Sequence, residues 1–169
     1  MPERLYFPAT QRNRNCIGDV LSDFLPGSGS ILEIGSGSGE HGVVFQKRFP
    51  EINWHTSDPE KSHRVSINAW IDYYGLTKKM HEPIDLDVEK RPWTLPSMLL
   101  SDLRGVICIN VIHISPWSCT TALFQESASL LEKEHFLMLY GPFKRDGCHI
   151  SKSNALFDQS LKSQNETWG

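Results

Sequence analysis

Ile31-Leu32-Glu33-Ile34-Gly35-Ser36-Gly37-Ser38-Gly39 is the stretch whose reading decides the fold. An apolar run carrying one acid passes straight into three alternating glycines. That is the pattern of a buried parallel strand turning into a helix while its backbone stays bare. Glycine accepts dihedrals other residues avoid and has no side chain to hold a ligand away. Free N–H groups at the start of the next helix favour anionic or hydrogen-bond-accepting groups, so the stretch reads as a cradle for a nucleotide-like cofactor. A tight strand-to-helix turn that binds nothing has the same appearance.

The register of the glycines separates two cofactor classes. A dinucleotide site needs G-x-G-x-x-G opening at the strand end. Starting at Gly35 the pattern fails at Glu40; starting at Gly37 it is met by Gly37, Gly39 and Gly42, but two residues beyond the strand. The frame that fits the strand is Glu33-x-Gly35-x-Gly37-x-Gly39. It resembles the first motif of the class I S-adenosylmethionine (SAM)-dependent methyltransferases. In that superfamily the acid and the glycines face the amino-acid end of SAM, so the resemblance implies Glu33, Gly35, Gly37 and Gly39 as cofactor-binding residues.

The rest of the chain sets the class. A length of 169 residues suits a single domain, here residues 1–169. With 39% hydrophobic and 22% charged residues, the composition is that of a globular protein. No apolar run is long enough to span a bilayer, and Met1-Pro2-Glu3-Arg4 lacks a secretory signal's apolar segment. The expected compartment is the cytoplasm, with the nucleus left open. A net charge of −3 gives no broad basic surface and argues against nucleic-acid binding. Cys16, Cys108, Cys119 and Cys148 form no C-x-x-C pair, so no metal site is expected, and Cys108 reads as a small core residue.

Hydrophobic periodicity predicts five strands alternating with helices. The first helix covers residues 13–25, with Ile17, Val20, Leu21, Phe24 and Leu25 as its buried stripe. Strands follow at residues 30–35, 53–57, within 80–88, 105–112 and 135–140; helices at 40–48, 60–74 and from 116 to about 131 lie between them. Val65, Ala69 and Tyr73 share a face of the third helix, and Phe124, Ala128 and Leu131 a face of the fourth. Ser115 reads as an N-cap with Pro116 at the first helical position, and a last helix covers residues 154–161. The order is that of a doubly wound, mostly parallel α/β sheet, whose ligands bind beyond the carboxyl ends of strands.

Polar residues collect at those ends. Asp58 lies about 20 residues past the glycines, the spacing of a ribose-binding acid, which serves NAD and SAM alike. The same residue before Pro59 is also a common turn aspartate. Asp87 ends the third predicted strand, with Asp85 two positions before it. Asn110 and His113 end the fourth; Asn110 accepts and donates, and His113 moves a proton near neutral pH or serves as a hydrogen-bonded structural histidine.

Arg12-Asn13, Leu32 to Gly42, Ser57-Asp58, Leu86-Asp87-Val88, Asn110-Val111-Ile112-His113-Ile114-Ser115-Pro116, Tyr140-Gly141-Pro142, Ser153-Asn154 and Phe157-Asp158 occur in that order. Together they resemble an uncharacterised methyltransferase-like subfamily over nearly the whole chain. The resemblance implies a SAM-binding Rossmann-like sheet, Asp87 as acceptor of the adenine amino group, and Arg12 over the cofactor paired with its carboxylate. It implies Asn110 as a residue that orients the acceptor or holds the cofactor, and His113 as the base. The Asn110-Val111-Ile112-His113 block is not the loop of amino-methylating nucleobase enzymes, which leaves a small molecule or a protein side chain as methyl acceptor.

That superfamily's sheet ordinarily carries a final antiparallel strand pair, for which residues 141–169 offer no candidate. The chain therefore reads as a fragment or shortened isoform whose fifth strand, Phe136 to Tyr140, is an uncovered edge open to self-association. Two alternatives accompany a SAM-dependent methyltransferase. One is a catalytically idle SAM-fold protein that acts by binding a partner; the other is a nicotinamide oxidoreductase using the Gly37 frame.

Overall fold

A computed structural model describes residues 3–169. Helix α1 (Pro8–Phe24) leads into β1 (Gly29–Ile34), α2 (Glu40–Arg48), β2 (Ile52–Thr56) and α3 (Lys61–Tyr73). There follow α4 (Ser97–Leu100), β3 (Leu103–Ile109), a 3-10 turn (Ile112–Ile114), α5 (Trp117–Leu130), β4 (Phe136–Tyr140) and α6 (Lys152–Gln164). All strand pairs are parallel, in the order β2-β1-β3-β4. This is the Rossmann-like α/β sheet expected, with β4 at one edge and no strand beyond it among the described residues.

All six residues of β1 are buried, because both faces of the strand are covered. Side chains alternate between faces with the period of two that strands impose. Ile31, Ile107 and Ile109 pack on one side with Ile17 and Leu21 of α1, Phe45 of α2 and Trp70 of α3. Leu32, Ile34, Val106 and Cys108 pack on the other with Leu99 of α4 and Leu123 of α5. Cys108 is a core residue, its thiol pushed up to about 12 by burial. The chain leaves β1 toward β2 on one side and later returns to β3 on the other. Their carboxyl ends therefore diverge around a crevice, the usual ligand position in such sheets.

Several expectations are corrected. The strand predicted within residues 80–88 is absent. Only Ile84 touches the sheet, donating its N–H to Thr56 O (2.9 Å) and accepting from Asp58 N–H (3.0 Å). Pro83 has no N–H to extend the ladder, and the chain then turns at Asp87, whose carboxylate accepts from the Glu89 N–H. Ser115 does not cap α5. Its hydroxyl donates back to Val111 O (2.7 Å), and Pro116 takes the cap position. The first helix starts at Pro8, five residues before the predicted start, with proline in its favoured first turn.

The buried helix faces also differ from the apolar stripes. Val20 and Phe24 of α1, Val65 and Tyr73 of α3, and Phe124 and Ala128 of α5 are exposed. Buried in their place are Thr10 and Asn13, Ser66, and Thr120 and Ser127. Two of these polar residues hold neighbouring segments. Asn13 Oδ1 lies 2.9 Å from His41 Nε2. The Ser66 hydroxyl donates to Ser38 O (2.7 Å) in the glycine loop and accepts from the Leu5 N–H (2.8 Å). Hydropathy ranks such residues outside; hydrogen bonding places them inside.

Strand β4 is only half buried, and Val20 and Phe24 stand exposed beside it in one apolar groove. A free strand edge next to apolar surface is a template for pairing. Light scattering of the 169-residue chain should show mass rising with concentration. Phe24→Lys, at a position already 63% exposed, should fold normally and lower that association. A chain monomeric at every concentration would contradict this expectation.

Candidate functional site

The crevice between β1 and β3 opens into a cleft of about 350 Å³, within the roughly 300–1,000 Å³ range of small-molecule sites. Its floor is the elbow after β1, with Gly35, Ser36 and Gly37 in the wall. All three glycines of the elbow have positive φ: 62° at Gly35, 55° at Gly37 and 89° at Gly39. A Cβ would also meet Val111 at 2.6 Å from Gly35, Phe7 at 2.8 Å from Gly37 and Ile67 at 2.7 Å from Gly39. Glycine is therefore demanded here by the chain's own packing as well as by backbone conformation.

Three of the loop's amides are satisfied within the chain. Ser36 N–H donates to Ser57 O (2.8 Å), Gly39 N–H to Ser36 O (3.0 Å), and Gly37 N–H to Asp58 Oδ2 (2.8 Å). A buried carboxylate thus takes up the Gly37 amide. Asp58 Oδ1 accepts from the Glu60 N–H (2.9 Å) and lies 3.0 Å from His63 Nδ1. That oxygen is saturated, whereas Oδ2 keeps a lone pair free.

Of the residues singled out in the sequence, the cleft brings together Gly35, Gly37, Asp58, Asp87 and Asn110. Asn110 ends β3 with φ of 59°, a left-handed conformation that asparagine tolerates better than most residues and that is sparse outside turns and functional sites. Its N–H donates to Tyr140 O (2.8 Å), which leaves the side chain to face the cleft. Asp85 lies outside, exposed, with Arg64 2.7 Å away.

Arg12, Glu33, Gly39 and His113 do not line this cleft. Arg12 is on the exposed side of α1. Gly39 begins α2 against Ile67. Glu33 shares the face of Ile31, so strand alternation sends it beneath α2. There it is fully buried and accepts from Trp54 Nε1–H (2.8 Å). Burial lifts its pKa to about 7; the Trp54 bond opposes that rise and nearby Asp58 adds to it. His113 opens onto a separate cleft on the far side of the 110–115 turn.

Sequence reasoning passed over Phe7, Thr10, His41, Glu60 and His63, all in the cleft wall. Glu60 and His63 follow Asp58 by two and five residues at the start of α3, a local signal for groups that bond it. Phe7 and Thr10 carry no such signal, because only tertiary folding lays the N-terminal segment over the elbow. Trp70 Nε1–H holds that segment at Leu5 O (3.1 Å), and the Arg4 guanidinium sits 3.6 Å above the Tyr73 ring. His41 is held neutral, its pKa pushed down to about 4 by burial and by Arg14.

One charge asymmetry follows. The described cleft wall holds Asp58, Glu60 and Asp87 but neither lysine nor arginine. Arg14, one turn from the cleft on α1, is committed to an ion pair with Glu40. Among the described residues, the charged side chains of the cleft wall are therefore acidic, with His41 and His63 beside them.

This fold is the class I methyltransferase fold. A putative O-methyltransferase from Nostoc punctiforme PCC 73102 matches with TM-score 0.73 at 16% identity, over 91% of this chain and 43% of that one. The SAM-dependent methyltransferase SibL, solved in its apo form, matches at 0.71 and 14%, over 90% and 42%. Geranyl diphosphate C-methyltransferase from Streptomyces coelicolor A3(2), in complex with Mg2+, geranyl diphosphate and S-adenosyl-L-homocysteine, matches at 0.65 and 13%, over 90% and 55%. The chain spans about two fifths to just over half the length of these neighbours. Residues 4–169 match the family model described as "Protein of unknown function (DUF938)", and the chain belongs to that family.

Glu33 makes the site's foundation sensitive to pH. Its folded pKa of about 7 exceeds the ordinary 4.5, so ionising it opposes folding. The penalty is absent below pH 4.5 and grows until about pH 7. His41 and His55, both lowered to about 4 by burial, act in the opposite sense, losing stability as pH falls below 6.5. Glu33→Gln keeps an acceptor for Trp54 and should therefore gain stability relative to wild type between those limits, by the order of a few kcal/mol. Chemical denaturation of both proteins across this range checks it; parallel curves would overturn the assignment.

Proposed function

We propose that this chain binds S-adenosylmethionine in the β1–β3 cleft and belongs to a SAM-dependent methyltransferase whose acceptor is a small molecule or a protein side chain. The observation that carries the proposal is the charge of the cleft. SAM carries a sulfonium and an ammonium group against one carboxylate, so it is a net cation, and the wall offers acids without bases. A nicotinamide dinucleotide would set its pyrophosphate against Asp58 at the Gly37 amide, which argues against the oxidoreductase reading. No specific observation favours a catalytically idle protein of the same fold.

In this reading Asp58 Oδ2 accepts a ribose hydroxyl while its bond to Gly37 fixes the carboxylate's direction. Asp87, 37% exposed at the cleft mouth, accepts the adenine amino group, with Leu86 and Val88 beside the ring. Asn110 holds the edge of the cofactor or orients the acceptor. Thr10 is the side-chain donor near the amino-acid end, a role for which Arg12 is badly placed. Bound SAM supplies a methyl group on a good sulfonium leaving group, so the protein's work is alignment and exclusion of water. His113 takes a proton from the acceptor where the nucleophile carries one.

Calorimetry should show SAM and S-adenosylhomocysteine binding and NAD not binding. Asp58→Ala should weaken SAM roughly tenfold or more, the scale of one lost charged hydrogen bond. Asp87→Ala, which leaves the elbow untouched, should weaken it less and spare the melting temperature. Unchanged affinity in both variants, or a preference for NAD, would remove the proposal.

A further inference from the structure

The 110–115 turn has a cleft on each side. Beyond it lies a second hollow of about 310 Å³, walled by the start of α5, the end of β4 and α6. Five aromatic side chains line it: Trp117, Phe124, Tyr140, Phe143 and Phe157. They are 73%, 51%, 39%, 47% and 43% exposed, so the hollow is largely apolar surface held open to solvent. None of them was buried to build the core, whose α5 contribution is Leu123 and Ala122.

The charged groups in the hollow are drawn together around one carboxylate. Asp158 is drawn below its ordinary pKa, first by Lys162 (2.8 Å), and is also paired with Lys144 (3.6 Å) and His149 (3.2 Å). His149 Nδ1 is buried without a hydrogen-bond partner among the described residues. His113 packs against Phe157 with ring centroids 5.4 Å apart. Burial lowers its pKa, so the imidazole is neutral and one ring nitrogen is an acceptor. A Cβ at residue 141 would stand 3.5 Å from its Nδ1; Gly141 leaves that approach clear.

We propose that this hollow is a second ligand site, taking a neutral, ring-bearing small molecule whose hydroxyl donates to His113. Aromatic side chains give a flat ring contact area at low entropic cost, and a neutral acceptor among them selects a hydroxyl over a bare hydrocarbon. As a binding site it stands on this geometry. Its role as the methyl acceptor's site rests on the methyltransferase reading.

The test titrates the 169-residue chain, without SAM, with 1-naphthol, naphthalene and 1-naphthoate, by calorimetry and Trp117 fluorescence. Expected is one saturable 1-naphthol site, weakened roughly tenfold by Trp117→Ala and by Phe124→Ala, both solvent-facing changes that leave the core alone. Naphthalene should bind several-fold more weakly than 1-naphthol, and the difference should vanish in His113→Phe. No saturable 1-naphthol site, equal binding of naphthol and naphthalene, tighter binding of naphthoate, or indifference to the aromatic variants would each overturn the proposal. SAM titrated into the same variants separates the two readings. SAM failure with normal naphthol behaviour removes the cofactor cleft alone, and the reverse removes only the hollow.

Discussion

The hydrogen bond from the Gly37 amide to the Asp58 carboxylate joins the turn after β1 to the end of β2. It closes the elbow over the sheet and sets a buried negative charge, 4% exposed, at the deepest point of the cleft. The surrounding contacts keep it there. Ser57 is held by the Ser36 hydroxyl and bonds Glu33 O, while Glu60 and His63 steady the second carboxylate oxygen. The amide that would greet a phosphate is satisfied within the chain. The same bond that shapes the elbow thus sets a carboxylate in a cleft wall that holds neither lysine nor arginine among the described residues.

The glycines acquire a different meaning in this setting. In many nucleotide sites bare glycine backbone makes room for the ligand. Here Val111, Phe7 and Ile67 already occupy the space beside Gly35, Gly37 and Gly39. Their positive φ values would require glycine even without a ligand. The glycine string therefore reports the turn. Phe7 reaches the elbow because Leu5 and Arg4 are tied to α3, so the N-terminal segment is part of the site wall.

The turn after β3 divides the chemistry in two. Asn110, in a left-handed conformation, faces the acidic cleft. Three residues later, His113 faces the aromatic hollow, because the intervening 3-10 turn carries the chain around. Residues that are neighbours in sequence thus serve different surfaces, and the peptide between them is the wall through which the two spaces would communicate.

Much of this was legible in the chain. Apolar runs and glycine punctuation determined the α/β class and, among five expected strands, the four that pair in parallel, since a strand covered on both faces is mostly apolar. Asp58 and Asn110 could be placed in the cleft because it lies at strand ends, and strand ends can be counted; Asp87 reaches it from a loop where a strand was expected. Side-chain direction could not be read so directly. Glu33 lies two residues from Gly35 yet points beneath α2; Val20 and Phe24 fit a helical stripe yet face outward; Thr10, Asn13 and Ser66 are polar yet buried. The third predicted strand failed because pairing needs a donor at Pro83 and a partner in register. Local pattern determines which elements form. Their packing decides which face of each is inside, because burial and hydrogen bonding depend on neighbours distant in the chain.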